Sequence, residues 1–324
     1  MKPNALLNSK LLKFTYQKVL LLLLFALIIV FAILEDFIML RPNVLFGLTE
    51  NVMEIGLMAL PMTLIIITSG IDLSVGTTMA LSAVIIGAVY DMTQNIALAI
   101  FCGMATGILC GALNGLIISK TKLAPLVTTL ATMSLYLGIA KIICGTKIYS
   151  SYPPGFTFLQ INRLFGVVPY QFVFFIVLFI GFALFYTRSN LGRYVRGIGL
   201  NEEAVKYSGV KIARLKFFLY LSSGFISAVA ALVYLSRLPA AKPDIGANLN
   251  LQAITAVVLG GTSIMGGVGS ISGTFLGVLI LGVLRKGLQV IGLGGDVYSF
   301  ILGILLVICL IGFSFVESRQ KRAR

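Results

Sequence analysis

Apolar runs of about 20 residues, the length a helix needs to cross a bilayer, follow one another along this chain with few polar positions inside them. They predict an all-α polytopic membrane protein of about ten spans. The spans fall near residues 19–38, 51–69, 73–90, 96–118, 123–143, 170–186, 217–236, 251–265, 271–290 and 297–315. One long polar island breaks the pattern. From Thr187 to Lys216 the chain carries Arg188, Arg193, Arg196, Lys206, Lys211, Arg214 and Lys216 against Glu202 and Glu203, a net charge of +5. Positive loops resist translocation and fix the orientation of the spans around them, so the island is expected in the cytoplasm, where soluble machinery would meet the membrane part.

Local patterns refine this picture. Gly103, Gly107, Gly111 and Gly115 recur every four residues in the fourth span and form a stripe along one helix face, where another backbone can approach closely. Gly269, Gly273 and Gly277 repeat the device in the ninth. Gly266 and Gly267 mark a tight break between two spans. The longest outward segment, 145–169 with Pro153-Pro154-Gly155 at its centre, is too short for a domain and is expected to pack on the outer face. Residues 1–324 are therefore expected to form a single transmembrane domain with one cytoplasmic loop at 187–216. Lys2, Lys10, Lys13 and Lys18 precede the apolar run 19–34 in the charge order of a signal peptide. No small-x-small cleavage site follows, so this run reads as a retained first span.

Composition removes most other classes. With 58% hydrophobic and 11% charged residues, and a mean hydropathy of +1.03, the chain is not a soluble globular domain. Its net charge of +14 does not signal nucleic-acid binding, because Lys and Arg cluster in short segments between apolar runs. With the N-terminus inside, seventeen of the 25 basic residues fall in inward segments, including Lys120, Lys122, Arg319, Lys321, Arg322 and Arg324. Outward segments hold Arg41, Lys141, Lys147, Arg163, Arg237, Lys242, Arg285 and Lys286, together with Glu35, Asp36, Glu50, Asp91, Asp244 and Asp296. Both termini are thus expected in the cytoplasm. There is no histidine, which excludes HExxH metalloprotease sites and Ser-His-Asp triads. The four cysteines show no CxxC spacing and no P-loop motif is present. No catalytic residue, metal site or cofactor is expected.

Within the island, Asn201, Glu202, Glu203, Ala204, Val205, Lys206, Tyr207, Ser208 and Gly209 read as a short capped helix. Asn201 suits the N-cap, the two acids sit in the first turn where the helix dipole favours anions, and Gly209 suits the position just past the end. This segment, the run Thr68 to Gly76 (TSGIDLSVG) and the run Ala256 to Gly267 (AVVLGGTSIMGG) together resemble the permease subunits of ribose-type ABC importers. The resemblance covers about residues 50 to 312 and is greatest to permeases for monosaccharides and for the furanosyl autoinducer. It implies a multi-pass protein of the bacterial inner membrane, working with a second permease subunit, a cytoplasmic ATPase and a periplasmic binding protein. It also implies that Asn201 to Gly209 is the segment that touches the ATPase.

The remaining polar residues in or beside spans are candidates for a substrate path. Asp72 reads first as an N-cap of the third span and second as a path residue. Glu54 opens the second span, where a carboxylate must face water, a partner or a cavity. Thr63, Thr68, Asn114, Thr128, Thr129 and Thr132 could line a polar path or bond the carbonyls of their own helices. The chief rival reading is an ion-coupled secondary transporter of a small polar solute, which needs ionisable groups deep in the membrane. Only Glu54 and Asp72 approach that requirement. A membrane-embedded enzyme is weaker still without histidine or clustered carboxylates.

Overall fold

A computed structural model describes residues 3–34, 37, 40–121 and 123–322, with the side chains of 3–15, 43, 159, 310 and 312–322 excepted. The positions Lys2, Glu35, Asp36, Lys122 and Arg324, and the side chains of Lys10, Lys13, Arg319, Lys321 and Arg322, lie outside the described residues. The elements run α1 (Pro3–Leu34), α2 (Pro42–Glu50), α3 (Met53–Ile67), α4 (Val75–Thr93), α5 (Ile96–Lys120), α6 (Pro125–Cys144), α7 (Phe158–Ile161), β1 (Arg163–Leu164) and β2 (Val168–Pro169). After these come α8 (Tyr170–Arg188), α9 (Asn190–Leu200), α10 (Glu202–Tyr207), α11 (Ile212–Arg237), α12 (Leu249–Leu259), α13 (Ile271–Val290) and α14 (Gly295–Arg322). The two short strands pair antiparallel, Arg163 opposite Pro169 and Leu164 opposite Val168.

Among the described residues, seven helices are long and apolar enough to cross a membrane, and eight if α2 and α3, bent by 57° at Asn51–Val52, count as one span. The expected count of about ten is therefore approximate. The predicted span 251–265 is the clearest departure: its helix has only 11 residues and ends at Gly260. The next residue, Gly261, turns the chain at φ +87. Helix α14 runs for 28 residues and covers the predicted span 297–315. Helix α9 is an amphipathic element that the span pattern did not predict.

Burial sorts the helices into a core and a lipid-facing shell. All fifteen residues of α3 are buried, as are Gln252 to Leu259 of α12. A helix apolar on every side belongs inside a bundle. The shell exposes Leu22 on α1, Phe101 and Leu109 on α5, Ile142 on α6 and Val177 on α8. Such side chains would be an aggregation surface in water, and in hydrocarbon they are the seal.

Long-range bonds define two ends of the bundle. At one, the island end, the Tyr16 hydroxyl donates to the carbonyl of Leu259 at 2.9 Å and Gln17 Nε2 donates to Ser270 Oγ at 2.9 Å. There the amide of Gly267 also donates to the carbonyl of Ile67 at 2.8 Å. At the far end Arg237, Glu54, Asn51 and Arg285 converge. Lys147 and Asp91 pair at 2.6 Å outside the core, and that hydrogen bond holds the Lys147 ammonium above the usual lysine range. Between α11 and α12 the chain re-enters the bundle without helix: Ala241 bridges to Tyr149, and Gly246 lies against Gly76 at the start of α4 so closely that a Cβ on Gly76 would sit 2.4 Å from its carbonyl oxygen.

Candidate functional site

Three groups of sequence-predicted residues occupy three levels of the bundle. The first is α10, at the island end. Asn201 is its N-cap, with Oδ1 accepting from the amide of Ala204 at 3.0 Å. Glu202 and Glu203 fill the first turn, and Gly209 follows the helix at φ +78, a conformation that disfavours any Cβ. No residue of α10 is buried. The helix is tied back by Lys216, whose Nζ donates to both Glu202 oxygens at 2.7 and 2.8 Å. The face of α10 away from Lys216 is open to solvent.

Helix α9 joins α10 to the core. Ser189 caps its start, Oγ accepting from the amide of Gly192 at 3.1 Å, and Val195 and Ile198 turn inward. Gly199 lies so close to the carbonyl of Ile67 and the amide of Gly267 that any side chain there would collide with backbone. Arg196 stacks over the Tyr186 ring at 4.9 Å, and the Tyr186 hydroxyl donates to the carbonyl of Gly269 at 3.2 Å. The end of α9 next to α10 therefore rests on the last residue of α3, Ile67, and on the loop 260–270. The loops 68–74 and 260–270 also touch directly, through Ser69 Oγ and the carbonyl of Met265 at 2.9 Å.

The second group surrounds the loop 68–74. Asp72 is 2% exposed and fully partnered. Its Oδ1 accepts from the Ser74 amide at 2.9 Å and the Ser74 hydroxyl at 2.7 Å, and its Oδ2 accepts from Ser223 of α11 at 2.8 Å. Asn114 of α5 donates through Nδ2 to Ser74 Oγ at 2.8 Å, and its Oδ1 lies 3.3 Å from the hydroxyl of Tyr136 in α6. Thr129 accepts from the amide of Leu73 at 3.1 Å, and Asn250 donates to the carbonyl of Leu73 at 3.2 Å. The loop thus gathers polar groups from α5, α6, α11 and α12. Asp72 is not the expected N-cap: α4 begins only at Val75, Ser74 holds the cap position without a side-chain cap bond, and Asp72 instead braces the turn two residues on.

The third group is at the far end. Glu54 is 2% exposed and its Oε1 accepts from Arg237 Nη2 at 2.8 Å and Nε at 3.2 Å. Arg237 also reaches Asn51 Oδ1 at 3.4 Å. Arg285, an awkward charge for the ninth span, donates to the Asn51 carbonyl at 3.1 Å and lies over the Tyr298 ring at 5.7 Å. Thr63 stands apart from all three groups. It donates to its own helix at Ala59 and faces Thr274 of α13 across 2.8 Å. Thr68 and Thr132 likewise bond their own helical carbonyls, Ile65 and Thr129, and Thr128 bonds the carbonyl of Ala124.

Sequence reading passed over Ser223, Tyr136 and Asn250, and counted Arg237 only as an outward charge. Ser223 is one of four serines in the span 217–236, a weak signal by itself. The glycine stripe of α5 lies within the chain's own packing: a Cβ on Gly107 would meet the carbonyl oxygen of Gly224 at 2.5 Å, and one on Gly111 that of Tyr220 at 2.5 Å. Gly103 faces Ile86 of α4 and Gly115 faces Phe217 of α11. Among the described residues no cluster of His, Cys, Asp or Glu could hold a metal ion.

Comparison with known proteins places these features in a family. Residues 44–310 match the family described as branched-chain amino acid transport system / permease component. An autoinducer 2 import system permease protein, LsrD, of Yersinia pseudotuberculosis is 38% identical over 288 residues, 87% of this chain and 86% of the relative. The LsrD protein of Klebsiella pneumoniae is 38% identical over 315 residues, 95% of this chain and 94% of the relative. That of Photorhabdus temperata is 37% identical over 289 residues, 87% and 86% of the two chains. No solved structure gives a significant match. Nothing in the structure or the relatives supports an ion-coupled secondary transporter. An exposed capped helix outside a mostly apolar bundle, and a match over most of its length, mean that this chain belongs to the permease family of ABC importers, as a sugar-type permease subunit.

Proposed function

We propose that this chain, one transmembrane permease domain over residues 1–324, forms half of the path by which a bacterium imports autoinducer 2 or a related furanosyl compound or monosaccharide across its inner membrane. A second permease subunit supplies the other half. The island end with α10 faces the cytoplasm and a separate ATPase subunit, and the far end faces a periplasmic binding protein. The chain itself carries out no covalent chemistry. ATP binding and hydrolysis on the partner bias the permease between inward-open and outward-open arrangements, a population shift driven by differential contacts. The observation that carries this reading is the exposed α10 joined directly to the end of α9 that abuts Ile67, the last residue of α3, and Gly267 in the loop after α12. Displacing α10 would move α9 against Ile67 and Gly267, and with them the loop that carries Asp72. Glu54, Thr63, Asp72 and Asn114 act in this account as supports of the path, each already committed to a partner within the chain.

The test is the double variant Glu202→Lys/Glu203→Lys. Two cations in the first turn oppose the helix dipole by about 0.3 to 1 kcal/mol each and present like charge to a basic cleft on the ATPase. No span is altered, so insertion is expected to be normal. Transport and substrate-stimulated ATP hydrolysis, measured in proteoliposomes with all subunits present, should fall together. Retention of both activities would reduce α10 to a solvated connector.

A further inference from the structure

Beside α10 lies an open cleft of about 700 Å³. Its floor is formed where three spanning helices end: α5 at Lys120, α6 from Pro125 and α11 from Ile212. The cleft is therefore at the level of the lipid headgroups, whichever leaflet it faces. One wall carries Lys206, Lys211, Arg214 and Lys216 with Glu202 and Glu203. Lys216 is neutralised by Glu202 at 2.7 Å. Among the described residues Lys206, Lys211 and Arg214 form no ion pair, so three cations face Glu203 alone. The α5–α6 segment lines the cleft with Ile118, Leu123 and Pro125, interrupted by the hydroxyls of Ser119 and Thr121. Immediately below it the bundle surface is bare hydrocarbon: Leu116, Leu126, Val127 and Phe218 are 42, 46, 58 and 59% exposed.

From this arrangement we propose that the cleft binds one anionic phospholipid, its phosphate against Lys206, Lys211 and Arg214 and an acyl chain along the apolar faces of α5 and α6. A free phosphate would satisfy the cations and leave the apolar side chains wet. A neutral lipid would cover those side chains and leave the cations without a counter-charge. An anionic lipid meets both, in the way basic pockets at span ends recognise acidic headgroups. The bound lipid would tie α10 and the start of α11 to the α5–α6 turn, damping the element assigned above to coupling. That it belongs to the inner leaflet rests on the proposed orientation, whereas its occupancy does not.

The test is native mass spectrometry of the purified full chain titrated with phosphatidylglycerol or with phosphatidylcholine. Wild type is expected to retain phosphatidylglycerol preferentially, and Lys211→Ser/Arg214→Ser to weaken that retention about fivefold per charge removed. Both residues are exposed, so the variant should fold. Lys242→Ser, at the far end, should leave retention unchanged. Equal retention of the two lipids, or no effect of the double variant, would overturn the assignment. So would full displacement by inorganic phosphate, which would mark a free-anion site, or protection of the cleft only by the ATPase subunit without lipid retention. Cysteine labelling that placed the island outside the cell would sink the proposed orientation while leaving the lipid preference intact, so the two failures are separable.

Discussion

Asp72 concentrates the residue-scale argument, because one buried carboxylate accepts from two hydroxyls and an amide on two separate elements. Asp72→Ala would leave those donors unpaired, at about 1 to 3 kcal/mol for each group that cannot reach water. Asp72→Asn keeps the shape and the Oδ1 acceptor, and Ser223 can rotate its hydroxyl to accept from the new amide. Thermal unfolding in detergent should therefore show a large loss for the alanine variant and a small one for the asparagine variant. An equal loss in both would mean that the charge itself is required. Sequence alone marked Glu54 as an acid needing water, a partner or a cavity and Asp72 as a helix cap or path residue, but the partners are remote: Ser223 is 151 positions from Asp72, and Arg237 is 183 from Glu54. Nothing local in the chain encodes such pairings. They follow from which helices pack together.

Elements were legible in proportion to how local their causes are. Helix α10 is short, yet its cap, its first-turn acids and its terminal glycine lie within nine consecutive residues, so its limits could be read directly. The long spans were legible by apolar length. Helix α12 was overextended because Ile264 and Met265 resume the apolar pattern beyond Gly260-Gly261-Thr262-Ser263, whereas the chain turns at Gly261 with φ +87. The stripe of α5 supplies the prediction at this scale. At Gly107 and Gly111 an added side chain meets backbone atoms of α11 at 2.5 Å, and backbone cannot step aside as a flexible side chain can. Gly107→Leu and Gly111→Leu should each lower folded yield, judged by size-exclusion profile after extraction, far more than a leucine at Gly138, where nothing lies within 4 Å. Normal yield and transport from both variants would sink the packing account.

At the scale of the whole molecule, the asymmetry of charge between the two ends sets the expected topology. Seventeen of the 25 basic residues lie in segments assigned to the island side, so reporter fusions at Lys10 and after Arg324 should be active only with cytoplasmic reporters. A periplasmic signal at either end would require a different number of crossings. The half-length of α12 carries a further consequence, for biogenesis. At 1.5 Å per residue its 11 residues cover about 16 Å, roughly half the hydrocarbon thickness. The stretch leading into it contains Lys242, Pro243 and Asp244. An insertion channel that releases segments into lipid by apolar length would not release α12 alone. It is expected to enter the membrane paired with α13, against which and against α3 it packs; a chain cut after Leu259 should leave α12 unintegrated in a membrane-insertion assay, and its stable integration there would refute this.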